Sequence, residues 1–333
     1  MKPIVVFDLF SGMGGFTQGA IDAGASVALA VDLWGDSNRV HRDNHPQVKV
    51  LNIELGHRDH WRLFKRMVDE WRSKGYHVHI HGSPPCQALS NASNRDASEG
   101  MPLVIWYLEM VKKVKPDSWS MENVVPVRKR LPEGTPSVIL NSAYFGVPQT
   151  RRRCFAGEGW LAEPTHSKDE WVSVLDALPY LKELIRPPSM KNHWSKDRDI
   201  NTPFPTITSQ SVNQIRVNVN TTGGGSSNNT RIVSRRRKKG EEPQSYLPTR
   251  PAHTITQVQH IIENISVPSL RDNTPQKIRS LTISETLVLQ GFSPDYDLSS
   301  ATTQKARWTM IGNAVPPPMA AAVIRGIQNG LLT

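Results

Sequence analysis

The sequence predicts an α/β protein with a Rossmann-like large domain and a smaller second domain. Three observations predict it. Short apolar runs alternate with helix-period segments through the first half, the pattern of strand–helix–strand units in a parallel sheet. A glycine-rich turn follows the first apolar run, as in ligand-binding α/β domains. Beyond about Arg186 the composition shifts to Pro, Gly, Asn, Ser, Thr and Arg, which marks a different unit.

The elements follow in order. Ile4 to Phe10 reads as a buried strand and Ser26 to Asp32 as a second. His57 to Tyr76 reads as an extra or lengthened helix. His77 to His81 is a third strand, with Val78 and Ile80 alternating against histidines. Val104, Tyr107, Leu108, Val111 and Val114 recur at helical spacing within Leu103 to Lys115, and Pro116 stops that helix. Ser118 to Val125 is the next strand, and Cys154-Phe155-Ala156 lies in another. Helical spacing resumes near Ser284 and from Pro318 to Leu331. Pro203-Phe204-Pro205-Thr206-Ile207-Thr208 is echoed by Pro251-Ala252-His253-Thr254-Ile255-Thr256, which we read as paired strands or turns of the second domain.

With 333 residues, the chain is long enough for two domains. Lys and Arg number 40 against 30 Asp and Glu, a net charge of +10 that favours polyanionic partners. No apolar run approaches the roughly 20 residues of a membrane span. The opening Met1-Lys2-Pro3 and the run after it lack the features of a secretory leader, so a cytoplasmic protein is expected. Two cysteines exclude a disulfide framework and a four-cysteine zinc site, and no metal is expected.

Several segments carry residues suited to chemistry. Asp8-Leu9-Phe10-Ser11-Gly12-Met13-Gly14-Gly15 lets backbone approach a ligand at a helix start, although an ordinary tight turn has the same look. Nucleotides, flavins and methyl donors all use such loops. Asp32 closes the second strand, where an acid binds ribose hydroxyls or simply faces solvent. In Gly82-Ser83-Pro84-Pro85-Cys86-Gln87 two prolines fix the backbone ahead of a thiol in a polar setting, which suits a nucleophile better than a core residue. Cys154 takes the opposite reading, as core. Glu122, ending its strand beside Asn123, suits a proton donor or a salt-bridge carboxylate. In Gln149-Thr150-Arg151-Arg152-Arg153, strand alternation would send Arg151 and Arg153 to one face and Arg152 to the other. Gly312-Asn313-Ala314-Val315-Pro316 looks like a turn starting the last helix.

Taken in this order, the segments resemble the DNA (cytosine-5) methyltransferases. The resemblance rests on Asp8 to Gly15, Pro85-Cys86-Gln87, Glu122-Asn123-Val124, Gln149 to Arg153, Leu281-Thr282 through Leu289-Gln290-Gly291-Phe292, and Gly312 to Pro316. It covers most of the chain apart from roughly Pro187 to Arg250.

The resemblance implies a flipped-out cytosine in a short duplex DNA sequence as substrate and S-adenosylmethionine as donor. Cys86 would attack carbon 6, Glu122 would protonate ring nitrogen 3, Arg153 would contact the base oxygen and support the acid, and Arg151 would assist near the cysteine loop. Phe10 would pack on the donor adenine and Asp32 would hold its ribose. Ser11, Gly12, Met13, Gly14 and Gly15 would meet its methionine part. Leu33, Asn52, Ile53 and Pro85 complete the expected pocket, with Asn313 and Val315 packed beside it. Two departures stand out: Asn52 where the family often has Asp, and Leu33 where it often has an aromatic residue.

Ala88 to Gly100, with Arg95, is expected to be a loop that closes over the base. The expected division is 1–186 with 301–333 for catalysis and 187–300 for target recognition, Arg235 to Lys239 being candidate phosphate contacts. A monomer, with a cognate restriction nuclease as associated enzyme, is implied. Methylation of RNA by the same chemistry, and a non-catalytic DNA binder of the same fold, are the rival readings.

Overall fold

The computed structural model describes residues 2–85, 101–185, 201–207, 216–219, 266–268 and 275–332. In chain order the elements are β1 (Ile4–Leu9), α1 (Gly15–Asp22), β2 (Ser26–Asp32), α2 (Gly35–Asn44), β3 (Lys49–Asn52), α3 (His60–Ser73), β4 (His77–Gly82), α4 (Pro102–Val114), β5 (Ser118–Asn123), β6 (Ser137–Asn141), β7 (Gln149–Thr150) and β8 (Arg152–Glu158). Then come α5 (Val174–Ala177), β9 (Leu181–Ile185), β10 (Phe204–Pro205), β11 (Arg216–Val219), β12 (Ser266–Pro268), β13 (Pro275–Ser280), α6 (Ile283–Gln290), α7 (Gln304–Asn313) and α8 (Pro317–Gly330).

Seven strands form the main sheet in the order β3-β2-β1-β4-β5-β8-β6. The strands from β3 to β5 pair in parallel, while β8 runs antiparallel to both β5 and β6. Strand order reverses between β1 and β4, so the loops leaving these strands part and open a crevice. β1 is buried along its whole length, as a central parallel strand covered on both faces should be. Val5, Phe7 and Leu9 join Val78, Ile80, Phe64, Val68, Tyr107 and Met121 in the core beneath α3 and α4. Ile4 and Val6 join Phe16, Ala20, Met319, Val323 and Ile324 beneath α1 and α8.

Glycine sets the spacing of α1 against α8. A Cβ on Gly19 would stand 2.0 Å from the Pro317 carbonyl oxygen, and one on Gly15 would stand 2.2 Å from that of Val315. The last helix therefore lies directly on the first.

The α1 face of β4 and β5 is polar yet buried. His77, His79 and His81 alternate with the apolar residues of β4, and Ser118 and Ser120 of β5 lie between their rings. Phe16 stacks on His81 with ring centroids 3.5 Å apart. Burial pushes the His79 pKa down to about 3 and that of His81 well below the ordinary range.

The second sheet is antiparallel, in the order β12-β13-β11-β9, and spans residues 181–280. This sheet begins before and ends short of the 187–300 expected for target recognition. β9 already belongs to this sheet. Beyond Ser280, Leu287, Phe292, Tyr296, Leu298 and Ala301 pack with Met13 and Val40 of the large domain. A capping box between Thr282 and Glu285 starts α6, and Gly291 at φ 88° ends it.

α7 is an addition to the sequence reading, and it moves Gly312 and Asn313 from the start of the last helix to the end of this one. Phe204 pairs with Gln149 in parallel register, and with Ile207 it is buried against Val174, Leu178, Leu181, Leu281 and Leu289. The echoing copy at Pro251 to Thr256 lies outside the described residues. Among the described residues no helix is long and apolar enough to cross a membrane.

Two outcomes are expected. Gly19→Ala should destabilise the fold by about 2 kcal/mol, the scale of an overpacked contact that backbone cannot yield to, read as a lower urea midpoint. The buried histidines act through linkage: unfolded imidazoles protonate near pH 6.5 and the folded His79 near 3. Their contribution is complete above pH 6.5 and drains as pH falls toward 3. His79→Gln should flatten the loss of stability between pH 6.5 and 4 in denaturant titrations.

Candidate active site

The carboxyl ends of β1, β2 and β3 build one half of the crevice. Phe10 leaves β1 at φ 57°, a left-handed conformation rare for an aromatic residue, and its ring meets Trp106 edge-on at 6.1 Å between centroids. The Ser11 N–H donates to the Val31 carbonyl at 3.1 Å, holding the turn against β2. Gly12, also left-handed at φ 54°, has open space where a side chain would stand. Ser11 Oγ is buried without a hydrogen-bond partner.

Asp32 ties the loops after β1 and β2 together. One carboxylate oxygen accepts the Gly12 N–H at 2.9 Å and the other the Trp34 N–H at 2.8 Å. Burial raises its pKa above the usual carboxylate value, against the lowering effect of the backbone N–H groups of Trp34, Gly12 and Leu33. Asn38 Nδ2 donates to the Asp32 carbonyl at 2.9 Å. The Asn52 amide is satisfied when Nδ2 donates to the Leu33 carbonyl at 2.7 Å and the Asp32 carbonyl at 3.2 Å, which leaves its oxygen as an acceptor. Leu33 and Ile53 are apolar side chains exposed to 60% and 36% at this rim.

Three more residues of the sequence prediction flank the loop after β1 or lie at the end of α7. Met13, expected at the ligand, turns its side chain into the core with Phe292 and Tyr296, and its carbonyl accepts from the Tyr296 hydroxyl. The reason is that Gly14, left-handed at φ 96°, directs the chain into α1 beneath His41 and His45. Val315 is buried with its carbonyl against Gly15, whereas Asn313 at the end of α7 is exposed.

The other half comes from β4, β5 and β8. Glu122, near the end of β5, is almost wholly buried, with side-chain exposure of 8%. Arg153 Nε lies 3.0 Å from Glu122 Oε1, an ion pair whose alignment is not that of a hydrogen bond. Antiparallel pairing sets Glu122 opposite Phe155 and Asn123 opposite Cys154, which brings Arg153 to the open end of β5. Asn123 Nδ2 donates to the Pro84 carbonyl at 3.1 Å, fastening the loop after β4 beside Glu122. Pro85 is exposed, and Cys86 with Ala88 to Gly100 lies outside the described residues. Cys154 is buried in β8, and burial pushes its thiol up to about 11.

Arg152 is exposed, while Arg151 and Arg153 are drawn inward to different partners. Arg151 Nη1 donates to the Ile207 carbonyl at 2.9 Å and the Gly312 carbonyl at 3.0 Å. Gln149 Nε2 donates to Gln290 Oε1 at 2.8 Å and to the Leu289 carbonyl, and its oxygen accepts the Ile207 N–H. Gln290 Nε2 reaches the Ala314 carbonyl at 2.8 Å. These two glutamines, to which sequence reasoning gave no role, join three of the recognised segments. Their signal was position inside those segments.

The chain matches the family described as C-5 cytosine-specific DNA methylase over residues 4–132 and 134–329, nearly its whole length. It belongs to that family. Among curated members, the type II methyltransferase M.HindV of Haemophilus influenzae is 32% identical over 161 residues, which are 44% of this chain and 50% of that protein. The type II methyltransferase M.DdeI of Desulfomicrobium norvegicum is 30% identical over 205 residues, 55% of this chain and 44% of that protein. The chain thus spans about half the length of these two relatives. M1.HphI of Haemophilus parahaemolyticus is 26% identical over 357 residues, 97% of this chain and 86% of that protein. The crystal structure of the S. pombe Dnmt2 methyltransferase aligns over 100% of both chains with a TM-score of 0.57 at 15% identity. That of a putative DNA modification methyltransferase from an E. coli prophage does so with 0.56 at 21%. Both share the fold.

The ion pair makes a prediction of its own. Arg153→Ala leaves a buried carboxylate alone and should cost about 3 kcal/mol of unfolding free energy. Adding Glu122→Gln to that variant should restore more than half of the loss, and urea titration of the three proteins reads it. Equal losses in Arg153→Ala and the double variant would mean that the unpaired charge of Glu122 is not what destabilises the single variant.

Proposed function

We propose that this protein transfers a methyl group from S-adenosylmethionine to carbon 5 of cytosine in duplex DNA. The observation that carries the reading is the buried Glu122–Arg153 pair, fastened through Asn123 to the Pro84-Pro85 turn that leads into Cys86. Membership of the C-5 methylase family supports the same reading.

The residues after β1, β2 and β3 fit the methyl donor. Ser11 Oγ is a buried polar atom in want of a partner, and Gly12 has a free approach to its backbone. Asp32 keeps acceptor capacity for ribose hydroxyls beyond the two N–H groups it already receives, and Phe10, Leu33 and Ile53 offer apolar surface for a base. The Asn52 oxygen is the acceptor for an exocyclic amino group. When bound, S-adenosylmethionine supplies an electrophilic methyl on a sulfonium centre.

The chain's residues make carbon 5 able to accept that methyl. Carbon 5 of cytosine is a weak nucleophile until carbon 6 is saturated. Cys86, as thiolate, adds to carbon 6 while Glu122 gives a proton to ring nitrogen 3, and the resulting enamine places electron density on carbon 5. Arg153 holds the carboxyl in place and reaches for the base oxygen. After methylation the hydrogen on carbon 5 leaves as a proton, Cys86 departs and the ring regains its aromaticity. The base must leave the helical stack for both faces to be reached.

Arg151 acts here as a positioning residue, tying β7 and β8 to Ile207 and Gly312. Residues 181–280 form the recognition unit, and the enzyme works as a cytoplasmic monomer on DNA shared with a cognate nuclease. The type II names of its relatives support the last point.

Duplex DNA of mixed sequence, incubated with labelled donor and digested to nucleosides, should yield labelled 5-methylcytosine; its absence from folded protein defeats the reading. Cys86→Ala should abolish turnover and spare DNA binding. Glu122→Gln should slow methylation by roughly 100-fold or more, the usual loss of a general acid.

A further inference from the structure

The imidazoles and hydroxyls buried along β4 and β5 form one continuous chain. His77 Nε2 and Ser118 Oγ are 2.8 Å apart, and the same hydroxyl stands 2.8 Å from His79 Nδ1. His79 Nε2 is 2.9 Å from Ser120 Oγ, which is 2.8 Å from His81 Nδ1. His81 Nε2 then meets Ser83 Oγ at 2.9 Å. Every contact is of hydrogen-bond length, and each ring of the pair His79 and His81 uses both nitrogens.

A neutral imidazole has one N–H and one lone pair, and a hydroxyl has one hydrogen to give. Only two arrangements therefore satisfy every member: all donating toward Ser83, or all donating toward His77. Shifting one proton across each contact converts the first into the second without moving a heavy atom. Phe16 lies flat on His81, with an interplanar angle of 4°, and 6.0 Å from His79, so the rings are held in plane.

The two ends of the chain have different surroundings. His77 is at the amino end of β4, where Asp117, Lys2 and Arg72 act on it electrostatically. Ser83 is at the carboxyl end, three residues before Cys86. Gly82 and Met121 form the last pair of the two strands, and Ser83 and Glu122 are the residues that follow them. Ser118, Ser120 and Glu122 alternate onto one face of β5. The chain ends one residue past the last β4–β5 pair, at the level of the buried Glu122, while the buried Asp8 pairs with His81 from β1 on the other side.

We propose that this His–Ser chain loads the Glu122 carboxyl with a proton before cysteine addition and withdraws it after elimination. The inference rests on the function proposed above. In loading, a proton from solvent binds His77 Nδ1 and each member passes its own hydrogen inward. Ser83 then gives its hydrogen to the Glu122 carboxylate. One proton enters, one arrives, and nothing is oxidised or reduced. Elimination returns the nitrogen 3 proton to Glu122 and the chain runs backward, which restores its starting polarity. The proton lost from carbon 5 leaves separately. These histidines and serines touch no substrate and are positioning and relay residues.

Ser120→Ala breaks the chain at its centre, and Ser120→Thr keeps a hydroxyl there. Single-turnover methylation should slow by at least about 10-fold in the first variant, with DNA affinity unchanged, and recover in the second. Mixed H2O and D2O should give a curved dependence of rate on deuterium in the wild type and a straight one in Ser120→Ala. A folded Ser120→Ala protein with wild-type rate and isotope dependence overturns the relay. A second readout needs no turnover: 15N spectra of the histidine side chains should show His79 and His81 exchanging between tautomers in the wild type and fixed in Ser120→Ala. Exchange without any methyl transfer would sink the proposed function and keep the chain. Methyl transfer with both rings fixed in the wild type would sink the chain and keep the function.

Discussion

A carboxylate withdrawn from water is the constraint around which this crevice is arranged. Glu122 has almost no exposed surface, and an ionised group there needs a cation close by. Arg153 meets the need because β8 runs against β5, the one reversal in an otherwise parallel run from β3 to β5. Parallel pairing would have carried the arginine toward the far end of the sheet. The antiparallel strand also buries Cys154.

Much of this was legible in the sequence. β2 runs between the residues that its apolar run marked, and β1, β4 and α4 differ by a residue or so at their ends, because buried central strands and a helix closed by Pro116 leave strong local marks. The residues at strand ends were legible for the same reason. What escaped notice depended on partners distant in sequence. That the Met13 side chain packs with Phe292 and Tyr296 could not be read from its own loop. α7 has only Ala306, Met310, Ile311 and Gly312 buried, too thin a stripe to stand out among polar neighbours. The start of the second sheet at Leu181 falls before the change in composition, and Leu181-Lys182-Glu183-Leu184-Ile185 has no period-2 alternation to mark it as a strand.

The histidines of β4 show how a sequence can display half of a device. Their alternation with Val78 and Ile80 was plain, but its meaning needed Ser118-Trp119-Ser120 on the neighbouring strand. Two period-2 patterns in parallel register make a ladder that neither strand reveals alone. Gln149 and Gln290 teach a related lesson. Each lies in a recognised segment, and only the fold shows that they bind those segments to one another and to Ala314.

The contact of Gly15 with the Val315 carbonyl has a bearing on how the protein is made. The wall behind the glycine turn is supplied by residues some 300 positions later, so that turn lacks its backing until those residues have been synthesised. Contacts of such long sequence separation close slowly, because the intervening chain must first be confined. The nascent first half can assemble β1 to β5 while still tethered, yet the turn after β1 stays without its support until the residues around Val315 have emerged. The finished crevice thus arrives in a single late step rather than growing with the chain.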